Sequence, residues 1–536
     1  MNAFFLKLRR LRPRHYAGGV CVLVFLLALY GGSLNAVFSA GETPLRQLWQ
    51  NLWQDAYLKR ILWFSFMQAG LSALLSVIFG ILFARAVFYQ HFRGKKILLR
   101  LFSLTFVLPS LAAVFGLLGV YGASGWLAQV CRFFQLNWQP DIYGLPGILL
   151  AHVFFNLPLA ARLFLQSYQA VSNQQRQLAA QLGIRGWRFI RLIELPYLRQ
   201  QIFPAFVLIF MLCFTSFAIV LALGGGPKYS TLEVAIYQAI TFDFDLAKAA
   251  LYASLQIGFC LLLFALGNFA GKMPEGQLHQ REIWFARQSS AVKFWQVFVI
   301  IVATLFIALP LGNIVTGALF SQQFFNAWLN PQLWRAMGYS FAIAPVSAFI
   351  SLLTATALLQ LTRQLNWLYL PFLARLFMNV GMLILAVPML VLAVGLFLRL
   401  QTLDLGTTHL FVIVVICNAL TALPFVIRIL SVPMNNNIQY YENLCQSLNI
   451  RGWRRFRLIE WHHLAAPMKY AFALATALSL GDFTAIALFG GQDFTSLPYL
   501  LYQQLGSYRG EEAAVTAFLL LLVCAGLFLT VEKQHD

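Results

Sequence analysis

The chain has 536 residues, 60% of them hydrophobic and only 10% charged, so no soluble core can hide its apolar surface and its place is a bilayer. Thirty-eight Lys and Arg against 18 Asp and Glu give a formal charge of +20. The positive residues sit in short connections between apolar runs, which is the positive-inside bias of a membrane protein and argues against nucleic acid as a partner.

The basic residues Lys7, Arg9, Arg10, Arg12 and Arg14 precede an apolar run from about Tyr16 to Phe38. Its length and the lack of a small-x-small cleavage site read as a retained first span with a cytoplasmic N-terminus. Runs of about twenty residues beginning near Ile61, Leu101, Tyr143, Ile202 and Ala247 complete six spans. A polar stretch from Lys272 to Ser290 follows. Runs near Phe294, Ala336, Phe377, His409, Tyr470 and Ala513 give six more. The expected fold is all-α and polytopic, about 12 transmembrane helices in two tandem six-helix repeats. Residues 1–271 form the first repeat, 272–290 a cytoplasmic linker and 291–536 the second, with both termini cytoplasmic.

The repeat keeps its register. Gly183-Ile-Arg-Gly-Trp-Arg-Phe-Ile-Arg-Leu-Ile-Glu194 returns 266 residues later as Asn449-Ile-Arg-Gly-Trp-Arg-Arg-Phe-Arg-Leu-Ile-Glu460. Leu157-Pro158 recurs as Leu423-Pro424, and Gly224-Gly225 as Gly490-Gly491, at the same offset. Pro109 and Gly116 answer Pro388 and Gly395, and the two prolines read as kinks in the third span of each half. An even number of spans per half gives a parallel repeat around a pseudo-two-fold axis.

Each basic segment reads as a helix-turn-helix hook on the cytoplasmic face. Gln174 to Leu182 favour a helix, Gly183 suits the left-handed turn that ends it, and a second short helix runs from about Gly186 to Pro196. Leu178, Leu182 and Trp187 are placed to fill a partner's groove, and Arg185, Arg188 and Arg191 to orient it. A lone hook of this kind reads as a lipid-binding segment; two at equivalent positions point to a protein partner with two-fold symmetry.

No chemistry is apparent in the chain itself. The seven cysteines are scattered, His462 and His463 point apart on a helix, and no phosphate-binding loop occurs. Neither a metal nor a cofactor is expected in this chain, nor catalysis.

The hooks resemble the cytoplasmic loop of permease subunits of binding-protein-dependent ABC importers, E-A-A-x-x-x-G followed after nine residues by I-x-L-P. Gln177-Leu178-Ala179, Gly183, Ile193, Leu195 and Pro196 fall at those spacings. In the second copy Asn443-Leu444-Cys445 stands for E-A-A, Asn449 for the Gly, and Trp461-His462 for Leu-Pro. Stretches such as Leu149–Pro158, Gln175–Gly183 and Leu501–Arg509 resemble the fused thiamine permeases of Gram-negative bacteria. That resemblance implies an inner-membrane importer of thiamine and its phosphates. Its implied partners are a periplasmic thiamine-binding protein, membrane lipid and a homodimeric ATPase that binds ATP and Mg²⁺. The ATPase-coupling residues become Gln177, Leu178, Ala179, Gly183, Arg185, Gly186, Trp187 and Arg188, with Asn443, Asn449, Arg451, Gly452, Trp453 and Arg454. Ferric-iron permeases share the architecture, and an ion-coupled secondary transporter is the alternative of another class.

Asp482, about twelve residues into the eleventh span, is expected past the middle of the bilayer, where a carboxylate is costly unless it faces a path or a partner. With Phe483 beside it, it suits a thiazolium cation; the equivalent first-half residue is Ser216. Tyr229, Phe494, Tyr499 and Tyr508, in the outward loops 224–246 and 490–510, are candidates for contact with a binding protein or for dipping toward the pore.

Overall fold

A computed structural model of the chain describes residues 13–39, 55–136, 141–269, 284–285, 288–367, 369–385, 387–400, 406–448, 450, 452–491 and 493–532. Among them every regular element is a helix, the form that satisfies its own backbone where no water reaches. The basic N-terminal cluster from Lys7 to Arg12 and residues 272–283 of the linker lie outside the described residues.

The first half runs α1 (Pro13–Ser39), α2 (Ala56–Tyr89), α3 (Lys95–Leu104), α4 (Ser110–Tyr121), α5 (Trp126–Phe133) and α6 (Leu145–Ala170). It continues with α7 (Asn173–Gln181), α8 (Gly186–Phe189), α9 (Leu195–Phe214), α10 (Ala218–Leu223), α11 (Leu232–Thr241) and α12 (Leu246–Phe269). The second half runs α13 (Ser290–Leu319), α14 (Phe324–Leu329), α15 (Pro331–Trp367), α16 (Pro371–Gly381), α17 (Met389–Leu400) and α18 (Thr407–Ser447). It ends with α19 (Gly452–Arg455), α20 (Trp461–Gly481), α21 (Thr484–Phe489), α22 (Leu497–Gly506) and α23 (Gly510–Glu532). Among the described residues eleven helical stretches are long and apolar enough to cross a membrane, and α17, a shorter apolar helix of 12 residues, stands in the remaining place.

The third span of each half is broken, not kinked. Pro109 sits extended (φ −56, ψ 133) between α3 and α4, and α17 starts one residue after Pro388. Proline lacks the N–H a continuous helix needs and disfavours helical geometry in the residue before it. The far pieces of the broken spans are exchanged: α4 packs on α13 of the second half, and α17 on α1 of the first. Gly116 meets the carbonyl of Pro310 and Gly395 that of Ser33, each so closely that a Cβ would clash. Only glycine lets these backbones approach, so the halves interlock through the same residue used twice.

The stretches 224–246 and 490–510 are largely helical and folded into the bundle, not loops. Their helices α11 and α22 begin in buried surroundings, where an unpaired N–H is costly. A span serine meets each need: Leu232 N donates to Ser65 Oγ (2.9 Å) and Leu497 N to Ser340 Oγ (2.8 Å).

Candidate functional site

The first hook begins at Ser172, whose Oγ accepts from Gln175 N (3.3 Å) and caps α7. It ends in a left-handed Gly183 (φ 68), with Ile184 N donating to Ala179 O (2.8 Å) and Gly183 N to Ala180 O (3.1 Å). That pair of bonds is a Schellman closure. A second left-handed glycine, Gly186 (φ 60), turns the chain into α8. Gln177, Leu178, Leu182, Arg185, Trp187 and Arg188 are exposed, Trp187 at 72%, while Ala179 is buried against the bundle. The second arm does not stop near Pro196. It passes through a π-helical turn (Ile190–Glu194) straight into α9, so arm and span form one lever. A widened turn of this kind is how a helix continues past an irregularity.

What fixes the lever is Glu194, 1% exposed at the end of that turn. Its carboxylate accepts from Arg85 Nε (2.9 Å) and Tyr89 OH (2.6 Å), both at the end of α2. Arg176 of α7 is buried too. Its guanidinium donates to Tyr168 O (2.6 Å) and Val171 O (3.3 Å) and lies 4.7 Å from the centre of the Phe88 ring. Burial lowers its pKa from the ordinary arginine value. The linker residue Phe285 packs edge-on against Phe88 and Tyr89, and Trp284 N donates to Asn173 Oδ1.

The second hook repeats the scheme with different parts. Asn449 and Arg451 lie outside the described residues, as do the side chains of Asn443 and Trp453; Gly452 opens α19 and Arg454 is exposed. Ile450 N donates to Cys445 O (2.9 Å), the bond equivalent to Ile184–Ala179. The π turn recurs at Phe456–Glu460 and leads into α20. Glu460, 4% exposed, takes Arg363 Nη2 of α15 and Arg455 Nε of α19, each at 2.9 Å.

At the other ends of these levers α9 and α20 stop, and the chain turns into α10 and α21. Phe217 and Phe483, related by the same 266-residue offset, stack there with centroids 5.8 Å apart and planes at 12°. Because both levers lead from a hook to this one contact, both hooks lie at the same end of the bundle. Tyr237 packs on Phe217 and Tyr502 on Phe483, each at 5.1 Å, with Tyr499 at 6.3 Å from Phe483.

Asp482 stands at a break within the apolar stretch Arg457–Phe489, between α20 and α21. The helix begins at Trp461, nine residues before the apolar run becomes evident, so Asp482 follows its last residue. Asp482 Oδ1 accepts from Thr484 N (2.9 Å) and Oδ2 from Thr421 Oγ1 (3.3 Å), and it borders a cavity of about 10 Å³ with Ser340, Asn418, Ser479 and Ser496. A space of that size holds one water. The carboxylate caps the re-entrant helix α21. Ser216, its first-half counterpart, is half-buried at the α9–α10 break. Of the outward aromatics, Phe494 is buried edge-on against Tyr339 and Tyr499 belongs to the central cluster. Tyr229 packs against Phe64, and Tyr508 is 97% exposed.

Glu194, Arg85, Arg176, Glu460 and Arg363, which hold the hooks to the bundle, were passed over in the sequence. The two glutamates were visible as the last letter of the duplicated segment, the signal that they do the same thing twice.

Residues 76–271 match the family described as binding-protein-dependent transport system inner membrane component. The thiamine transport system permease protein of Haemophilus influenzae is 57% identical over 527 residues, covering 98% of this chain and 97% of that protein. That of Escherichia coli is 44% identical, with 90% of each chain covered, and that of Brucella suis 38% identical, with 96% and 94% covered. With fold, hooks and near full-length identity in agreement, the chain belongs to the thiamine transport system permease family.

Proposed function

We propose that the chain carries thiamine, and its phosphates, from a periplasmic binding protein across the inner membrane, driven by a homodimeric ATPase that grips the two hooks. ATP and Mg²⁺ belong to that ATPase. The two hooks then face the cytoplasm with both termini, and residues 1–271 and 291–536 act as two halves joined by 272–290. One observation carries the reading. Two exposed surfaces bearing Leu178, Leu182, Trp187 and Arg on the first hook, and Arg454 on the second, stand at one end of the bundle. Each is tied by a buried glutamate to an arginine on the second span of its own half.

The mechanism follows from that tie. A partner that moves a hook moves α9 or α20 directly, because the π turn leaves no loose joint, and pulls α2 or α15 through Glu194 or Glu460. Such closure of an ATPase dimer brings the hooks together and rocks the halves against each other, an exchange between two packed states. The outer docking surface for the binding protein falls on the side of Tyr508 and Tyr229; Phe494 and Tyr499 face inward and act in packing instead.

The test is uptake of labelled thiamine by the chain reconstituted with its ATPase and binding protein, with ferric iron as the competing cargo. ATP-dependent thiamine uptake is expected, unaffected by iron. Uptake that persists without the ATPase and collapses with the proton gradient would sink the reading in favour of ion coupling.

A further inference from the structure

The Phe217–Phe483 contact joins two rings that belong to different halves and to the same position in the repeat. They are nearly parallel, and each is almost wholly withdrawn from solvent, at 3% and 1% exposure. Tyr237 and Tyr502 close the flanks in the same two-fold arrangement. Parallel rings from separate halves have a geometric consequence: when the halves rock apart, the contact opens into a slot with an aromatic face on each side. Ring faces carry negative quadrupole and attract cations that have shed water, while they repel anions. Asp482, next to Phe483, adds a carboxylate that has no ion pair among the described residues. No Arg or Lys makes a ring contact with this cluster among them, whereas the hook region has several such contacts.

We propose that Phe217 and Phe483, flanked by Tyr237 and Tyr502, part to form a transient binding station for a flat organic cation and close on each other as the seal once it has passed. The inference rests on the transport reading above and adds to it the place where the cargo's ring is held. Thiamine fits the slot because its thiazolium is planar, aromatic and permanently charged.

The test uses the full chain in vesicles with ATPase and binding protein, and labelled thiamine as the probe. Phe217→Leu/Phe483→Leu keeps the apolar closure and loses the ring faces; thiamine uptake is expected to fall about tenfold, with ATPase stimulation by loaded binding protein kept. Phe217→Tyr/Phe483→Tyr is expected to retain most uptake. A purely packing role predicts the opposite order, since Leu fits a close contact without adding a buried hydroxyl. In parallel, Phe217→Cys/Phe483→Cys is oxidised in resting vesicles, with each single cysteine as control. A cross-link that blocks uptake until reduced supports the station, and a cross-linked chain that transports at the unlinked rate overturns it. Leu variants that match the wild type also overturn it and leave the transport reading standing. A wild type that takes up no thiamine overturns both.

Discussion

The first hook starts afresh at Ser172 after α6 has ended, while the second is the tail of a single 41-residue helix, α18. The first ends at Gly183 and is followed by Leu195-Pro196; the second has Asn449 and Trp461-His462 at the equivalent places. Yet both keep the six-to-one closing bond, the π turn and a buried glutamate. The π turn therefore does not depend on the proline that follows it in the first copy. What the two hooks share is the lever and its lock. The E-A-A, turn-glycine and Leu-Pro positions have drifted; the Arg-Gly-Trp-Arg run, the π turn and the glutamate have not.

The locks differ in their direct bonds. Glu194 accepts from one guanidinium and a phenol, with the charge of Arg176 also acting on it, whereas Glu460 accepts from two guanidiniums with 9% and 16% exposed side chains. Removing one partner of a buried pair costs about 3–5 kcal/mol, because the other is left charged and unpaired. Glu460→Ala, which strips the carboxylate from Arg363 (9% exposed), is expected to lower the Tm of the solubilised chain more than Glu194→Ala, whose partner Arg85 is 24% exposed. Both are expected to abolish ATP-driven uptake. Equal losses would mean that the second lock has a further counter-charge and that the two are alike after all.

Next in size is the docking surface. Arg185→Glu with Arg188→Glu is expected to release the ATPase in co-purification with an unchanged Tm. Trp187→Ala alone is expected to weaken its binding by about 2 kcal/mol, the scale of an exposed aromatic anchor. Arg454→Glu on the second hook is expected to weaken it less. If the second-hook variant is the more damaging, the drifted copy is the principal grip, and the comparison reverses.

Spans and repeat register were legible because apolar runs of about twenty residues and the 266-residue offset shared by the hooks and the segments flanking them need no tertiary knowledge. The re-entrant helices α10, α11, α21 and α22 were not. At 6 to 10 residues each, beside glycine clusters, they look like loops, and only the surrounding spans bury them. The end of α20 at Gly481 was not legible either, because the polar hook arm hid the true start of the helix, and hydropathy sees only the apolar part of a helix. The bonds from hook to second span join residues more than 90 positions apart, as in Arg363–Glu460, and no local pattern reports such a pairing. The duplicated glutamate was the one available sign.

A smaller effect separates the turns. Gly183 holds φ 68 with open space around its Cα, so Gly183→Ala meets no clash and is opposed by backbone strain alone, about 1–2 kcal/mol. Gly183→Asn, which installs the residue of the second hook, is expected to cost less, because Asn visits the left-handed region more readily. The ATPase affinity of the two variants checks this. Equal losses would show that the first turn demands glycine for close approach of the partner, a demand the second does not make.

The smallest expected effect lies at Ser172, the cap that only the first hook possesses. Ser172→Ala removes the acceptor for Gln175 N, a change of about 1 kcal/mol in local helix stability, while Arg176, bonded to Tyr168 O and Val171 O, continues to pin α7 from below. Amide exchange in 173–181 is therefore expected to quicken about fivefold, with the corresponding turn of α18 unchanged and uptake close to normal. Exchange that does not change would show that the buried guanidinium alone holds α7, so that the first hook, like the second, takes its order from the bundle beneath it and not from its own start signal.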